Sequence, residues 1–188
     1  MQIGVDTAVF CDGKLCGVSH NLIVYPHPLR LTHLIISVNN RERITPVAMI
    51  IESSDSGIYL KPPLAELSTL DSFTQMHFAE ITVPDYDFAE FNYTYPMSGE
   101  QSRISIPVVS YNTPPGGFVI SRQTQIEAKN GHIGQFKKLI IDPATYQITH
   151  LIFQRGHLWE RKYVTIPAFS VERMEGDTIY LNINKADV

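Results

Sequence analysis

Apolar residues in the N-terminal third of the chain fall in short runs, Val5 to Cys11, Leu15 to Val24, Leu31 to Val38 and Ile44 to Ile51, and turn chemistry separates each run from the next. Runs of this length, bounded in this way, predict strands. Asp12-Gly13 tolerates the positive φ of a tight hairpin turn. Tyr25-Pro26-His27-Pro28 presets φ with proline, Asn39-Asn40 reverses the chain, and Ser54-Asp55-Ser56-Gly57 leads into a further strand, Ile58-Tyr59-Leu60. Strands this short with turns this close predict a barrel or sandwich rather than an α/β unit.

The same pattern returns in the C-terminal third. Leu22-Ile23-Val24-Tyr25-Pro26 followed by Leu31-Thr32-His33-Leu34-Ile35 is answered by Leu139-Ile140-Ile141-Asp142-Pro143 followed by Ile148-Thr149-His150-Leu151-Ile152. Residues 17–36 laid on 134–153 without a gap are identical at 8 of 20 positions: Gly17, Leu22, Ile23, Pro26, Thr32, His33, Leu34 and Ile35. Asn130-Gly131 stands for the first turn and Asp142-Pro143-Ala144-Thr145 for the second, with Asp and Pro in type I turn positions. Tyr163-Val164-Thr165-Ile166-Pro167 corresponds to Arg43-Ile44-Thr45-Pro46, and Glu175-Gly176-Asp177 precedes Ile179-Tyr180-Leu181. The second copy adds about four residues, Gly156-His157-Leu158-Trp159, in the turn after its central strand. Self-similarity of this kind indicates one supersecondary unit used twice. The expected division is a first module over residues 1–66, a connector over 67–118 and a second module over 119–188. Modules of about 65 residues lie near the lower limit for burying a core alone, so the two are expected to lean on each other.

The connector follows neither copy. Pro62-Pro63-Leu64-Ala65-Glu66-Leu67 predicts a short helix, since proline suits a first turn, and Phe78 to Val83 alternates as a strand does. From Pro84 to Gly117, prolines and glycines alternate with Tyr86, Phe88, Phe91, Tyr93, Tyr95 and Tyr111. Such a stretch is not one regular element. Its aromatic content also argues against a free linker, and the expectation is an extended excursion laying Tyr and Phe across one or both barrels.

Through Gly131-His132-Ile133-Gly134, Leu139-Ile140-Ile141-Asp142-Pro143, Ile148-Thr149-His150-Leu151-Ile152 and Val164-Thr165-Ile166-Pro167, the second copy resembles the PRC-barrel family over about 60 residues, and the first copy resembles it more loosely. That family includes the cytoplasmic domain of the photosynthetic reaction centre H subunit and the C-terminal domain of a ribosome maturation factor. The resemblance implies an all-β protein of two tandem small SH3-like PRC β-barrels used for protein contacts, joined by a Pro- and aromatic-rich connector with at most a short helix. Bacterial proteins with two such barrels often have a middle of this kind. Neither well-known role transfers, for no N-terminal membrane helix is seen, and the N-terminal half is another copy of the same module.

Composition narrows the functional classes. With 44% apolar, 10% aromatic and 18% charged residues and a formal net charge of −4, the chain reads as globular and lacks the basic surface that nucleic acid requires. No apolar run approaches the ~20 residues of a membrane span, and the N-terminus has no basic start or long apolar core. A cytoplasmic setting is therefore expected, in which the sequon Asn92-Tyr93-Thr94 has no role. Cys11, Cys16 and His20 lack a fourth ligand and the tight spacing of a zinc knuckle. The two cysteines, facing each other across Asp12-Gly13, are read as small apolar side chains.

The candidate contact residues come from the repeat and the enlarged turn. By alternation Leu31, His33 and Ile35 share one strand face opposite Thr32, Leu34, Ile36 and Val38. Both faces are apolar here and again at Ile148, His150 and Ile152, so both are expected to be covered. One fills the barrel and the other packs on the sister barrel or on a second chain, with the histidines as hydrogen-bonded interface residues. Trp159, with His157 and Leu158, either caps its own barrel or marks a partner site. Glu52 and Glu172 read as edge charges at a turn. No Ser-His-Asp set, paired carboxylates or phosphate loop is present, so no catalytic, cofactor or metal residues are assigned. The expected function is a non-enzymatic adaptor that binds a protein partner or a second copy as a homodimer. A small-molecule or metal-binding sensor using the crevice between barrels, with Tyr and His as contacts, is the alternative.

Overall fold

A computed structural model describes residues 1–83, 102–156 and 162–187. It is mostly β. In chain order the strands are β1 (Gln2–Gly4), β2 (Thr7–Cys11), β3 (Lys14–Pro26), β4 (Leu29–Val38), β5 (Arg41–Pro46), β6 (Ile50–Ser54), β7 (Gly57–Leu60), β8 (Thr74–Val83), β9 (Ser102–Tyr111), β10 (Phe118–Ile120), β11 (Gln125–Ala128), β12 (Gly131–Ile141), β13 (Ile148–Arg155), β14 (Lys162–Pro167), β15 (Val171–Glu175) and β16 (Thr178–Leu181). One short helix, α1 (Leu64–Leu67), forms where Pro62-Pro63 precedes an apolar pair, and Leu67 is its buried residue. The chain divides into two units, Met1–Phe73 with Thr113–Val188, and Thr74–Asn112.

In the first unit each copy of the repeat builds its own sheet, and the two sheets have one plan. The first runs β5-β4-β3-β2-β7-β6 and the second β14-β13-β12-β11-β16-β15. In each, one pair is parallel, β2 with β7 and β11 with β16, and the rest are antiparallel. The turns are built as their residues dictate. Asp12, Asn39 and Asn40 adopt positive φ, and Asp142 closes its turn by accepting from the Ala144 amide at 2.9 Å and the Thr145 hydroxyl at 3.0 Å. Those two donors, the Ala144 amide first, hold the Asp142 carboxyl below its ordinary pKa.

The sheets exchange their opening strands. β1 lies on β12 of the second sheet, with Ile3 opposite Leu139, while β10 lies on β3 of the first, with Ile120 opposite Leu22. Leu22 and Leu139 are equivalent in the repeat, so the exchange is reciprocal and in the same register. Arg30 bridges Gln147, which is its own equivalent, and the Leu31 amide donates to the Tyr146 carbonyl at 3.0 Å. An internal two-fold relation places these pairs between the copies. Ile3, Leu22, Leu34, Ile120, Phe136, Leu139, Leu151 and Phe153, each fully buried, accordingly belong to one continuous cluster drawn from both copies.

Bulges at equivalent places modify the expected alternation. In β4 the register moves from Ile23 opposite His33 to Val24 opposite Leu31, leaving Thr32 as the extra residue; in β13 Thr149 is extra in the same way. A bulge breaks the two-residue period. Leu31, 1% exposed, therefore joins the main core with Leu34 and Ile36, whereas Ile35 and Ile23 pack with Phe73 in a separate cluster. The face expected to hold Leu31, His33 and Ile35 together is thus divided.

The two copies also act as controls for each other. Ser19 and Thr45 are fully buried, and neither hydroxyl has a partner. Their equivalents, facing Phe153 and Leu151 as Ser19 and Thr45 face Ile36 and Leu34, are Phe136 and Ile166. A buried hydroxyl without a partner costs stability that an isosteric apolar group does not. Thr45→Val is expected to stabilise the protein by about 1 kcal/mol, read as a higher urea midpoint at unchanged slope.

Candidate functional site

The repeated histidines are held by the same local network. The Thr32 hydroxyl donates to the Ile23 carbonyl at 3.0 Å and lies 3.0 Å from His33 Nδ1; Thr149 donates to the Ile140 carbonyl at 3.0 Å and lies 3.1 Å from His150 Nδ1. Since each hydroxyl proton is directed at a carbonyl, the oxygen accepts from Nδ1–H, which assigns that tautomer to both rings. The bulged threonine is what brings hydroxyl, carbonyl and imidazole together. This is a structural role for the pair, and no group of three or more His, Cys, Asp or Glu able to hold a metal occurs among the described residues.

Burial lowers the His33 pKa from 6.5. The unfolded chain then takes up the proton first as the solution is acidified, so stability falls with pH below the unfolded value. The expected result is a urea midpoint that is insensitive to this group above about pH 6.5 and declines below it, with the decline reduced in His33→Gln.

The other predicted residues are placed as follows. Ile35 is fully buried in the Phe73 cluster, Ile148 and Leu31 lie in the main core, and His33, His150 and Ile152 are half-buried. His157, Leu158 and Trp159 lie outside the described residues. Glu52 and Glu172 are exposed strand positions, not turn residues; Glu52 is paired with Tyr59 beside the bulge at Ile51, Glu172 is itself the bulge residue, and Arg173, paired with Tyr180, is the register equivalent of Glu52. Cys11 and Cys16 are joined as a disulfide with Cα atoms 5.8 Å apart, in place of the two apolar thiols expected. The cause is local: Val9 faces Gly17 and Phe10 faces Leu15, so Cys16 is a bulge residue redirected toward Cys11. The equivalent pair is Ala128 and Ile133, both buried in the core.

Between the copies, a cleft of about 400 Å³ has His27, Pro28 and Leu29 on one wall and Val171, Arg173 and Met174 on the other. Its charged lining is partly committed, since the Arg173 guanidinium lies 3.9 Å over the Tyr180 ring.

Among the described residues, eight of the exposed large apolar side chains belong to the second unit. β8 and β9 form an antiparallel ribbon of ten unshifted pairs, from Thr74 opposite Tyr111 to Val83 opposite Ser102. Alternation puts Met76, Phe78, Pro107, Val109 and Tyr111 on one face and Ala79, Ile81, Ile104, Ile106 and Val108 on the other. Phe78 is 69% exposed, Met76 and Tyr111 are 65%, and five more large apolar side chains are at least 39% exposed. A ribbon of two strands is marginal by itself, and one that is apolar on both faces is built to be covered. Among the described residues neither strand pairs with a third. The first half of β8 is legible in the sequence neither as strand nor as surface. Nor is β9 legible there, because Pro107 in mid-run argues against a strand. In an unbroken ladder such a proline directs its nitrogen outward, so β9 accommodates it on its free side.

The chain matches no protein-family model, and a search of curated proteins finds no match. No helix among the described residues is long and apolar enough to cross a membrane.

Proposed function

We propose that the chain is a non-catalytic protein-interaction adaptor, its two repeats being tandem PRC-type barrels over residues 1–66 and 119–188 and its binding element lying in the connector, 67–118. The observation that carries the reading is the β8–β9 ribbon, with eight large apolar side chains exposed over its two faces. Exposed apolar patches on a soluble protein mark contact surfaces, and Phe78 and Tyr111 are residue types enriched at binding hot spots or interface cores. Cross-linking and affinity capture from the native cell should recover a partner with the wild-type chain and lose it with Phe78→Glu, while the melting temperature of the remainder is unchanged. Equal capture by both, or capture by neither, would remove the basis for this reading.

The cleft between the copies supports the second reading, a sensor of a small molecule or metal. A ligand that binds only the folded state raises the melting temperature, so a thermal-shift screen with metals and small metabolites should give hits that Met174→Trp abolishes if this reading holds.

A further inference from the structure

The first sheet carries its own docked segment, and the second offers the same slot. After α1 the chain runs along the outer edge of β5: Ile44 N–H donates to the Asp71 carbonyl at 2.9 Å, Phe73 N–H donates to the Glu42 carbonyl at 3.0 Å, and Arg43 Nη1 reaches the Leu70 carbonyl at 2.7 Å. The Phe73 side chain is left 2% exposed against Ile23 and Ile35, with Ile44 and Val119 beside it. This is strand addition with an aromatic anchor, performed within one chain.

Every backbone element of that slot recurs in the second sheet. Ile140 stands for Ile23, Ile152 for Ile35, Thr165 for Ile44 and Gln2 for Val119, and the pairings Ile152 with Thr165 and Gln2 with Ile140 repeat those of Ile35 with Ile44 and Val119 with Ile23. By that register the Thr165 amide and Tyr163 carbonyl point out from β14 as the Ile44 amide and Glu42 carbonyl point out from β5. Among the described residues no strand, bridge or backbone hydrogen bond meets the outer edge of β14. Ile140 and Ile152 are half-buried, and Thr165 and Tyr163 are exposed.

We propose that the outer edge of β14 and the adjoining Ile140–Ile152 face bind a short extended segment of a partner protein. An aromatic side chain of that segment follows by two residues the carbonyl that receives the Thr165 amide. The first copy identifies the occupant's chemistry, since the same backbone geometry there holds Asp71-Ser72-Phe73. Two of the four side chains around the aromatic are polar here, Thr165 and Gln2, so the segment is held less tightly than Phe73 and exchanges. Exposed Lys162 at the edge favours a neutral or acidic segment, as the first copy's is. The inference stands on the repeat and on β14 and does not depend on the ribbon.

The probe is a fluorescent peptide with this chain's own residues 68–75, Ser-Thr-Leu-Asp-Ser-Phe-Thr-Gln, titrated with the full chain and followed by anisotropy. Saturable binding is expected, lost when alanine replaces the phenylalanine of the peptide. Thr165→Ile, which restores the first copy's residue, should tighten it about tenfold. Thr165→Pro removes the outward N–H without touching the β13–β14 ladder and should weaken it at least about tenfold, provided its urea transition shows a folded protein. Absence of saturable binding, or binding indifferent to both substitutions, overturns the inference. Either result leaves the outcome of the Phe78→Glu capture experiment unaffected.

Discussion

Alanine in place of Gly134 is expected to destabilise the protein by at least about 3 kcal/mol, a large share of the roughly 5–15 kcal/mol that holds a domain folded. A Cβ at this position would lie 2.2 Å from the Gln154 carbonyl oxygen and 2.9 Å from Phe153 Cδ2. The first of these atoms is backbone of the neighbouring strand, so no rotamer change relieves the clash; β12 and β13 must separate. Gly17 is the equivalent residue, and its Cβ would meet the Ser37 carbonyl oxygen at 2.3 Å. Gly17→Ala should therefore be comparably severe. Gly13 and Gly176 provide the contrast, because nothing lies within 4 Å of an added Cβ there and only their positive φ opposes it. Alanine at those turns should cost about 1 kcal/mol. Urea denaturation of the four variants tests the ordering, and equal losses at all four would refute the close-approach account.

Ile3→Ala should cost about 2–5 kcal/mol, the usual loss for a fully buried isoleucine, and the damage should appear in the distant copy. Ile3 is opposite Leu139, so deuterium uptake is expected to rise in β12 and β13. Ile120→Ala should raise uptake in β3 and β4, where Ile120 faces Leu22. Both variants should still unfold in one transition, because the main core cluster is drawn from both sheets. Uptake that rises only in the sheet nearest in sequence would contradict the exchange.

Much of this architecture was open to inspection in the sequence. The repeat, the strands around Leu22, Leu34, Leu139 and Leu151, the turns at Asp12-Gly13 and Asp142-Pro143 and the short helix at Leu64 follow from local patterning, and local patterning is what a sequence displays. The strand exchange was not open to it, since Gln2-Ile3-Gly4 is too short to indicate which of two similar sheets it joins. The bulges at Thr32 and Thr149 were hidden for a related reason. They depend on the partner strand's register, and they turn Leu31 away from the face that strict alternation assigns to it. Of the candidate sites, the histidines were visible through their repetition, although their threonine partners show that they brace the strand. The ribbon was largely missed because Pro107 and the polar Thr74, Gln75 and His77 mask an alternation that only the pairing of β8 with β9 makes plain.

The reciprocal exchange also bears on how such a gene can change. Ordinary duplicates are free to diverge, but here the opening strand of each half is fitted to the floor of the other, so a mutation at Ile3 is answerable at Leu139 and not at Leu22. A chain cut to either half would leave one sheet without the strand that the other half supplies to it.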